Sequence, residues 1–166
     1  MGTDKALIEV DGVPLARRVA NALRAAGADP VIAVGGDLEA LTALGLTVTP
    51  DRHPGEGPLG GILTALAETT EDVVVVLACD LPAADADTIR AVALALGDAD
   101  VAAPWHDGRH ELLHAAYHRR ARPVLRAAFD AGERAPHRAV AELVVVGVDG
   151  LPATALADAD TPGDLA

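Results

Sequence analysis

Cysteine occurs once in this 166-residue chain, at Cys79. That excludes an intramolecular disulfide and any zinc site built from several thiolates. Aromatic residues are 2% of the chain, so the core must be made of alanine, valine and leucine, which suits helices layered on a sheet. No apolar run approaches the length of a membrane-spanning helix. The first apolar stretch is broken by Glu9 and Asp11 and does not read as a signal peptide. Positive charge is scarce: 13 lysines and arginines face 25 acidic residues, a net charge of −12. Such a balance repels nucleic-acid phosphates and anionic membrane surfaces. The expectation is a soluble cytoplasmic protein without nucleic-acid or membrane partners. An anionic small substrate would need a local positive group or a metal ion. Lysine is scarcest of all, for Lys5 is the only one.

What is present is ordinary globular material, 51% apolar and 23% charged, long enough for one domain over residues 1–166. Apolar runs alternate with helical patterns. ALIEV (6–10) reads as a strand leading through Asp11-Gly12 into a helix in which Leu15, Val19, Ala22, Leu23 and Ala26 recur at helical spacing, closed by Gly27. Strands are expected at 30–36, 46–51, 72–80, 101–104 and 112–118, and at the end of 139–148. Helices are expected at 38–45, 58–70, 85–97 and 120–132. The run DVVVVLACD (72–80) reads as a strand buried on both faces and central in the sheet. Strands separated by helices imply a Rossmann-like three-layer α/β/α sandwich with a mostly parallel, doubly wound sheet.

Three local motifs compete for chemistry. GEGPLG (55–60) fits the dinucleotide fingerprint in letters, yet PDRHP separates it from the preceding strand and no acidic residue closes a second one. HELLH (110–114) is a literal H-E-x-x-H. On a helix, His110 and His114 would share a face with Glu111 as general base, and His106 and His118 continue the spacing, the basis of a zinc-hydrolase alternative. The surrounding LLHAAYH reads better as a strand, which disfavours it. In VVVVLACDLP (73–82), Asp80 falls at the carboxyl edge of a strand, where open α/β sheets bind ligands.

Taken together, MGTDKALIEVDGVPL, DRHPGEGPLGGI, VVLACDLP, AGER and DADTPGDL follow one another in an order that resembles the molybdenum cofactor guanylyltransferases. These belong to the nucleotidyltransferases of Rossmann-like fold. The resemblance runs over nearly the whole chain. It implies transfer of GMP from GTP to molybdopterin phosphate with release of pyrophosphate. Lys5 would bind the triphosphate, Asp51 would contact the nucleotide, and Asp80 would hold Mg²⁺. Asp160 is a weaker candidate for a second contact to metal or acceptor. Relatives that use CTP or another phosphorylated acceptor, and an inactive nucleotide-binding homologue, are alternatives of the same fold. Molybdoenzymes or cofactor-insertion proteins are the implied partners.

The family signature begins upstream of Met1, with a strand and a glycine-rich loop. The first strand is therefore expected to be missing, leaving a gap in the sheet, open strand edges that favour self-association, and weak GTP binding by residues 1–166 alone. Two departures lie further on. Val34-Gly35-Gly36 offers only backbone where relatives often carry a polar residue, and Glu111-Leu112-Leu113 stands where relatives often have Q-P-L.

Overall fold

The first turn of the chain is decided by one aspartate. In the computed structural model, which describes residues 4–159, Asp4 accepts a hydrogen bond from the Ala6 amide at 3.1 Å and opens a 3₁₀ turn over Lys5–Leu7. Two short strands follow, β1 (Glu9–Val10) and β2 (Val13–Pro14), paired antiparallel. Asp11 and Gly12, at φ 51° and 74°, reverse the chain between them, the left-handed conformation that a two-residue hairpin turn requires. The strand expected over 6–10 is thus replaced by a capped turn and a hairpin. Side-chain capping and turn chemistry overrule a short apolar run.

The helices fall where caps and periodicity put them. α1 (Leu15–Ala26) ends at Gly27, whose φ of 100° lets its amide reach back to the Leu23 and Arg24 carbonyls. β3 (Ile32–Val34), α2 (Leu38–Ala43) and β4 (Thr47–Thr49) come next, and β3 and β4 pair in parallel. α3 (Pro58–Ala67) has Pro58 at its first turn, where the missing amide costs nothing. β5 (Val73–Leu77) leads to α4 (Ala86–Ala95), capped by the Asp85 carboxylate on the Asp87 and Thr88 amides. β6 (Val101–His106), β7 (Arg109–His110) and β8 (His114–His118) precede α5 (Arg122–Asp130), α6 (Pro136–Ala139), β9 (Val145–Val148) and α7 (Ala153–Leu156).

The larger sheet has the order β5-β8-β6-β7, with β9 also paired to β6. Its two faces alternate residue by residue, as the pleat requires. Val101, Ala103, Ala115 and Tyr117 pack on Leu59, Ile62 and Leu66 of α3 and Leu125 and Phe129 of α5. Ala102 and Ala116 pack on Val92 and Leu96 of α4. This is the expected three-layer sandwich. Its pairing is mixed, however. β5 and β6 each lie antiparallel to β8, while β6 and β9 are parallel. The link from β6 through β7 to β8 is too short for a crossover helix, so β8 must return in the opposite direction.

The run 73–80 departs from its expected place. β5 is the last strand of the larger sheet, and none of its residues is fully buried. Among the described residues no strand pairs with its other edge, nor with the second edge of β3. The two sheets face each other across a seam holding cavities of about 390 and 440 Å³. The larger sheet's strands and the β3–β4 pair are held across the seam by α3, whose Pro58, Gly61, Ile62 and Ala65 line the first cavity. Among the described residues the strands are thus interrupted between β3 and β5.

Candidate active site

The carboxyl ends of three strands converge at one end of the seam. β3 runs out into Gly35 and Gly36, β4 into Asp51, and β5 into Cys79 and Asp80. The first cavity is walled by residues 31–36 on one side and 75–79 on the other, with Asp4 beside them. Gly35 and Gly36 sit at φ 71° and 72° and let two carboxylates come close. A side chain on Gly35 would meet the Asp51 Cβ at 3.3 Å, and one on Gly36 would meet the Asp4 carboxylate at 3.0 Å. Asp4 also accepts from the Asp37 amide at 3.2 Å, tying the start of the chain to the N-terminus of α2.

Lys5 and Asp80 lie 75 residues apart in sequence and are brought together here. The Lys5 Nζ is 3.6 Å from the Asp80 Oδ2. Lys5 is carried by the Asp4-capped turn, and Asp80 by the loop that leaves β5. The Lys5 side chain is 44% exposed and that of Asp80 22%, so both can meet a ligand without first being uncovered. Asp51 is placed independently. Its Oδ1 accepts from the Thr64 hydroxyl at 2.8 Å and from the His53 amide at 3.0 Å. Thr64 is wholly buried in α3 and also accepts from the Arg52 amide at 3.1 Å.

Negative charge dominates the pocket mouth. Partial burial pushes the Cys79 thiol up to about 11, and the carboxylates of Asp80 and Asp4 add to the rise. Cys79 is thus held as a thiol and is not poised as a nucleophile.

The motif HELLH takes no helical form. His110 is on β7 and stacks edge-on against Trp105 at 4.7 Å, while Glu111 pairs with Arg109 at 2.8 Å. His114 opens β8, is 2% exposed, and among the described residues has no hydrogen-bond partner for either ring nitrogen. The shared helix face that a zinc hydrolase needs is not formed, because the hairpin puts His110 and His114 on different strands. GEGPLG likewise does not follow a strand directly. Its Gly57 is the N-cap of α3, and its Gly60 lies so near His53 that a side chain there would meet the His53 Cβ at 2.8 Å. Asp160 lies outside the described residues; the Ala159 amide donates to the Asp80 carbonyl at 2.9 Å.

Three contributors escaped the sequence reading. Asp4 and Thr64 act as holders of the loops that present Lys5 and Asp51. Arg18 joins the Val10 carbonyl and the Asp11 carboxylate at 2.7 and 2.8 Å, and reaches the Pro82 carbonyl at 3.4 Å. It thereby links the hairpin after Lys5 to the loop after Asp80. The Asp-Lys dipeptide hinted at Asp4, but nothing local marks Thr64 or Arg18.

The sheets, the helices on both faces and the seam open at the strands' carboxyl ends make a three-layer α/β fold. The same fold is seen in molybdopterin-guanine dinucleotide biosynthesis protein A from Archaeoglobus fulgidus, with a TM-score of 0.76 and 24% identity over 99% of this chain and 88% of that one. It is seen too in 2-C-methyl-D-erythritol 4-phosphate cytidylyltransferase from Thermus thermophilus, with a TM-score of 0.78 and 20% identity over 97% and 90%. Residues 1–147 match the MobA-like NTP transferase domain, and the chain belongs to that family. Its curated relatives include a probable molybdenum cofactor guanylyltransferase of Natronomonas pharaonis, 32% identical over 98% of this chain and 86% of the relative. The molybdenum cofactor guanylyltransferase of Pseudomonas putida strain GB-1 is 32% identical over 89% and 78%.

Proposed function

We propose that the protein transfers GMP from GTP to the phosphate of molybdopterin, releasing pyrophosphate. The observation that carries this reading is the Lys5–Asp80 pair at 3.6 Å on the carboxyl edge of the sheet. It joins one cation and one carboxylate in a family of NTP transferases. An acceptor phosphate oxygen would form a bond to the α-phosphorus of GTP as the bond to the β-phosphate oxygen breaks. The acceptor is already an anion and needs no general base, so positioning and charge stabilisation suffice.

Lys5 would oppose the negative charge that grows at the phosphates in the transition state. Asp51, fixed by Thr64 and the His53 amide, would orient the nucleotide. Asp80 would hold Mg²⁺. Among the described residues no three acidic, histidine or cysteine side chains converge on one point. That fits magnesium, which usually takes one or two carboxylates and completes its shell with phosphate oxygens and water. Held by Asp80, the ion would supply Lewis-acid neutralisation of phosphate charge. No helix among the described residues is long and apolar enough to cross a membrane. The proposed setting is the cytoplasm, with the product passed to a molybdoenzyme or an insertion protein.

The test is pyrophosphate release, with Mg²⁺, molybdopterin and either GTP or CTP, by a chain that carries the glycine-rich loop of the family signature. GTP-dependent release is expected. Lys5→Ala should lower kcat more than it weakens GTP binding, by about a hundredfold against a few-fold. Release from CTP alone would reassign the nucleotide. Tight GTP binding unaffected by Lys5→Ala and Asp80→Asn would sink the site itself.

A further inference from the structure

The loop between Asp51 and α3 is held from both sides, and only the inner side belongs to the site already described. On the inner side Asp51 and Thr64 take the His53 and Arg52 amides. On the outer side stands Arg134, from the segment that follows α5. Its Nε donates to the Glu56 Oε2 at 2.5 Å. Its Nη1 donates to the Phe129 and Glu133 carbonyls, both at 2.9 Å. The guanidinium lies 4.0 Å above the centre of the Phe129 ring. That same ring, the only phenylalanine in the chain, meets the His53 imidazole at 4.7 Å.

An exposed ion pair alone would hold little. Here the guanidinium is committed in three other directions before it meets Glu56, so its fork is already ordered. Glu133 orders the Arg134 backbone in turn. Its carboxylate takes the Arg134 and Ala135 amides, each at 2.8 Å, and pairs with Arg138 at 2.6 Å. The Arg138 guanidinium, followed by the Ala135 and Arg134 amides, holds the Glu133 carboxyl down to about 2. It therefore stays ionised across the physiological range. The Arg134 backbone also borders the N-cap of α3, Gly57, where an added Cβ would sit in ordinary contact with the Arg134 carbonyl at 3.6 Å.

We propose that Arg134 is a positioning residue that clamps the Arg52–Gly57 loop, fixing the N-terminus of α3 and Asp51 relative to the Lys5–Asp80 pair. Its consequence for turnover rests on the nucleotidyltransferase reading; the clamp itself does not. Arg134 acts through Glu56 and Phe129 and does not touch the reacting phosphates.

The test uses Arg134→Ala, Arg134→Lys, Glu56→Gln and the double variant Arg134→Ala/Glu56→Gln in the full chain. Amide hydrogen exchange at Glu56, Gly57 and Gly60 should quicken by about tenfold in Arg134→Ala, with the amides of β6 and β8 unchanged. Glu56→Gln should reproduce part of that change, and the double variant should add little to Arg134→Ala, as for residues acting through one contact. Arg134→Lys, with the charge but not the fork, should fall between wild type and Arg134→Ala. In the transfer assay KM for the nucleotide should rise about fivefold, with kcat within about twofold and KM for the acceptor unchanged. If Arg134→Ala does not fold, the lysine and Glu56→Gln variants carry the same comparison. Unchanged exchange in the loop would overturn the clamp. A raised acceptor KM with the loop undisturbed would also overturn it, by making Arg134 a substrate contact. Loop loosening in a protein that transfers no nucleotide would uphold the clamp and count against the function.

Discussion

The seam and the middle of the larger sheet are built from similar residues and pack very differently. In the larger sheet Val101, Ala102, Ala103, Ala115, Ala116 and Tyr117 have no exposed surface. At the seam Ile32, Ala33 and Val34 of β3 are all partly exposed, and so are Val74–Leu77 of β5. Valine is as apolar in β5 as in β6. The difference is neighbours: β6 has a partner on each edge, while among the described residues β5 and β3 each have a partner on one. Burial of a strand is therefore a property of the sheet around it. The less tightly packed flanks are also where the candidate site lies, because Lys5, Asp51 and Asp80 all leave elements that border the seam.

If the seam serves chemistry and the larger half serves stability, substitutions should separate the two. The largest effect is expected from Asp80→Asn, which should lower Mg²⁺-dependent pyrophosphate release by about a thousandfold or more. Its thermal unfolding should stay near that of the wild type, since the strand behind it keeps its apolar contacts. A matching loss of stability would break the comparison.

Next come Leu59→Ala and Leu41→Ala, read by urea unfolding. Leu59 is wholly buried between α3 and the larger sheet. Its truncation should cost about 3–4 kcal/mol. Leu41, 3% exposed in the β3–β4 half, already borders the first cavity, so its truncation should cost nearer about 2 kcal/mol. Equal costs would show that the two halves are equally well packed.

A pH dependence should belong to the larger half. Burial pushes His114 down to about 4 from its ordinary 6.5, against a smaller opposing pull from Asp85. Between those values the unfolded chain takes up a proton that the folded chain refuses. Stability is then complete above pH 6.5 and falls as pH drops towards 4, by about 3 kcal/mol at most. His114→Leu should flatten that part of the stability curve, measured as urea midpoints from pH 4 to pH 7. The smallest effect is expected from Tyr117→Phe. The Tyr117 hydroxyl donates to the Leu112 carbonyl at 2.6 Å inside the core, and its loss should cost about 1–2 kcal/mol. Turnover by Tyr117→Phe should match that of the wild type.

Much of this was written locally. The Asp85 cap, Pro58 at the start of α3 and Gly27 at the end of α1 mark helices through contacts within four residues, and those helices stand where the pattern put them. Asp80 at a strand's end and the lone Lys5 beside an aspartate were legible because each sits in a short, ordered motif. The run at 6–10 misled, because its apolar residues suggested a strand while Asp4 and Asp11-Gly12 bent the chain. The run at 73–80 also misled, because hydrophobicity marks a strand without saying which of its edges will be paired.

Only the tertiary structure decided what depends on distant segments meeting. The 3.6 Å approach of Lys5 to Asp80, the return of β8 between β5 and β6, and the grip of Arg134 on Glu56 each span tens of residues. The burial of His114 likewise depends on distant segments, and among the described residues its ring has no hydrogen-bond partner. Propensity and capping act over a turn or two, whereas these contacts are set by which faces the packed layers bring together. The sequence determined the elements and the chemistry they carry. The packing of the layers determined which of those groups share a site.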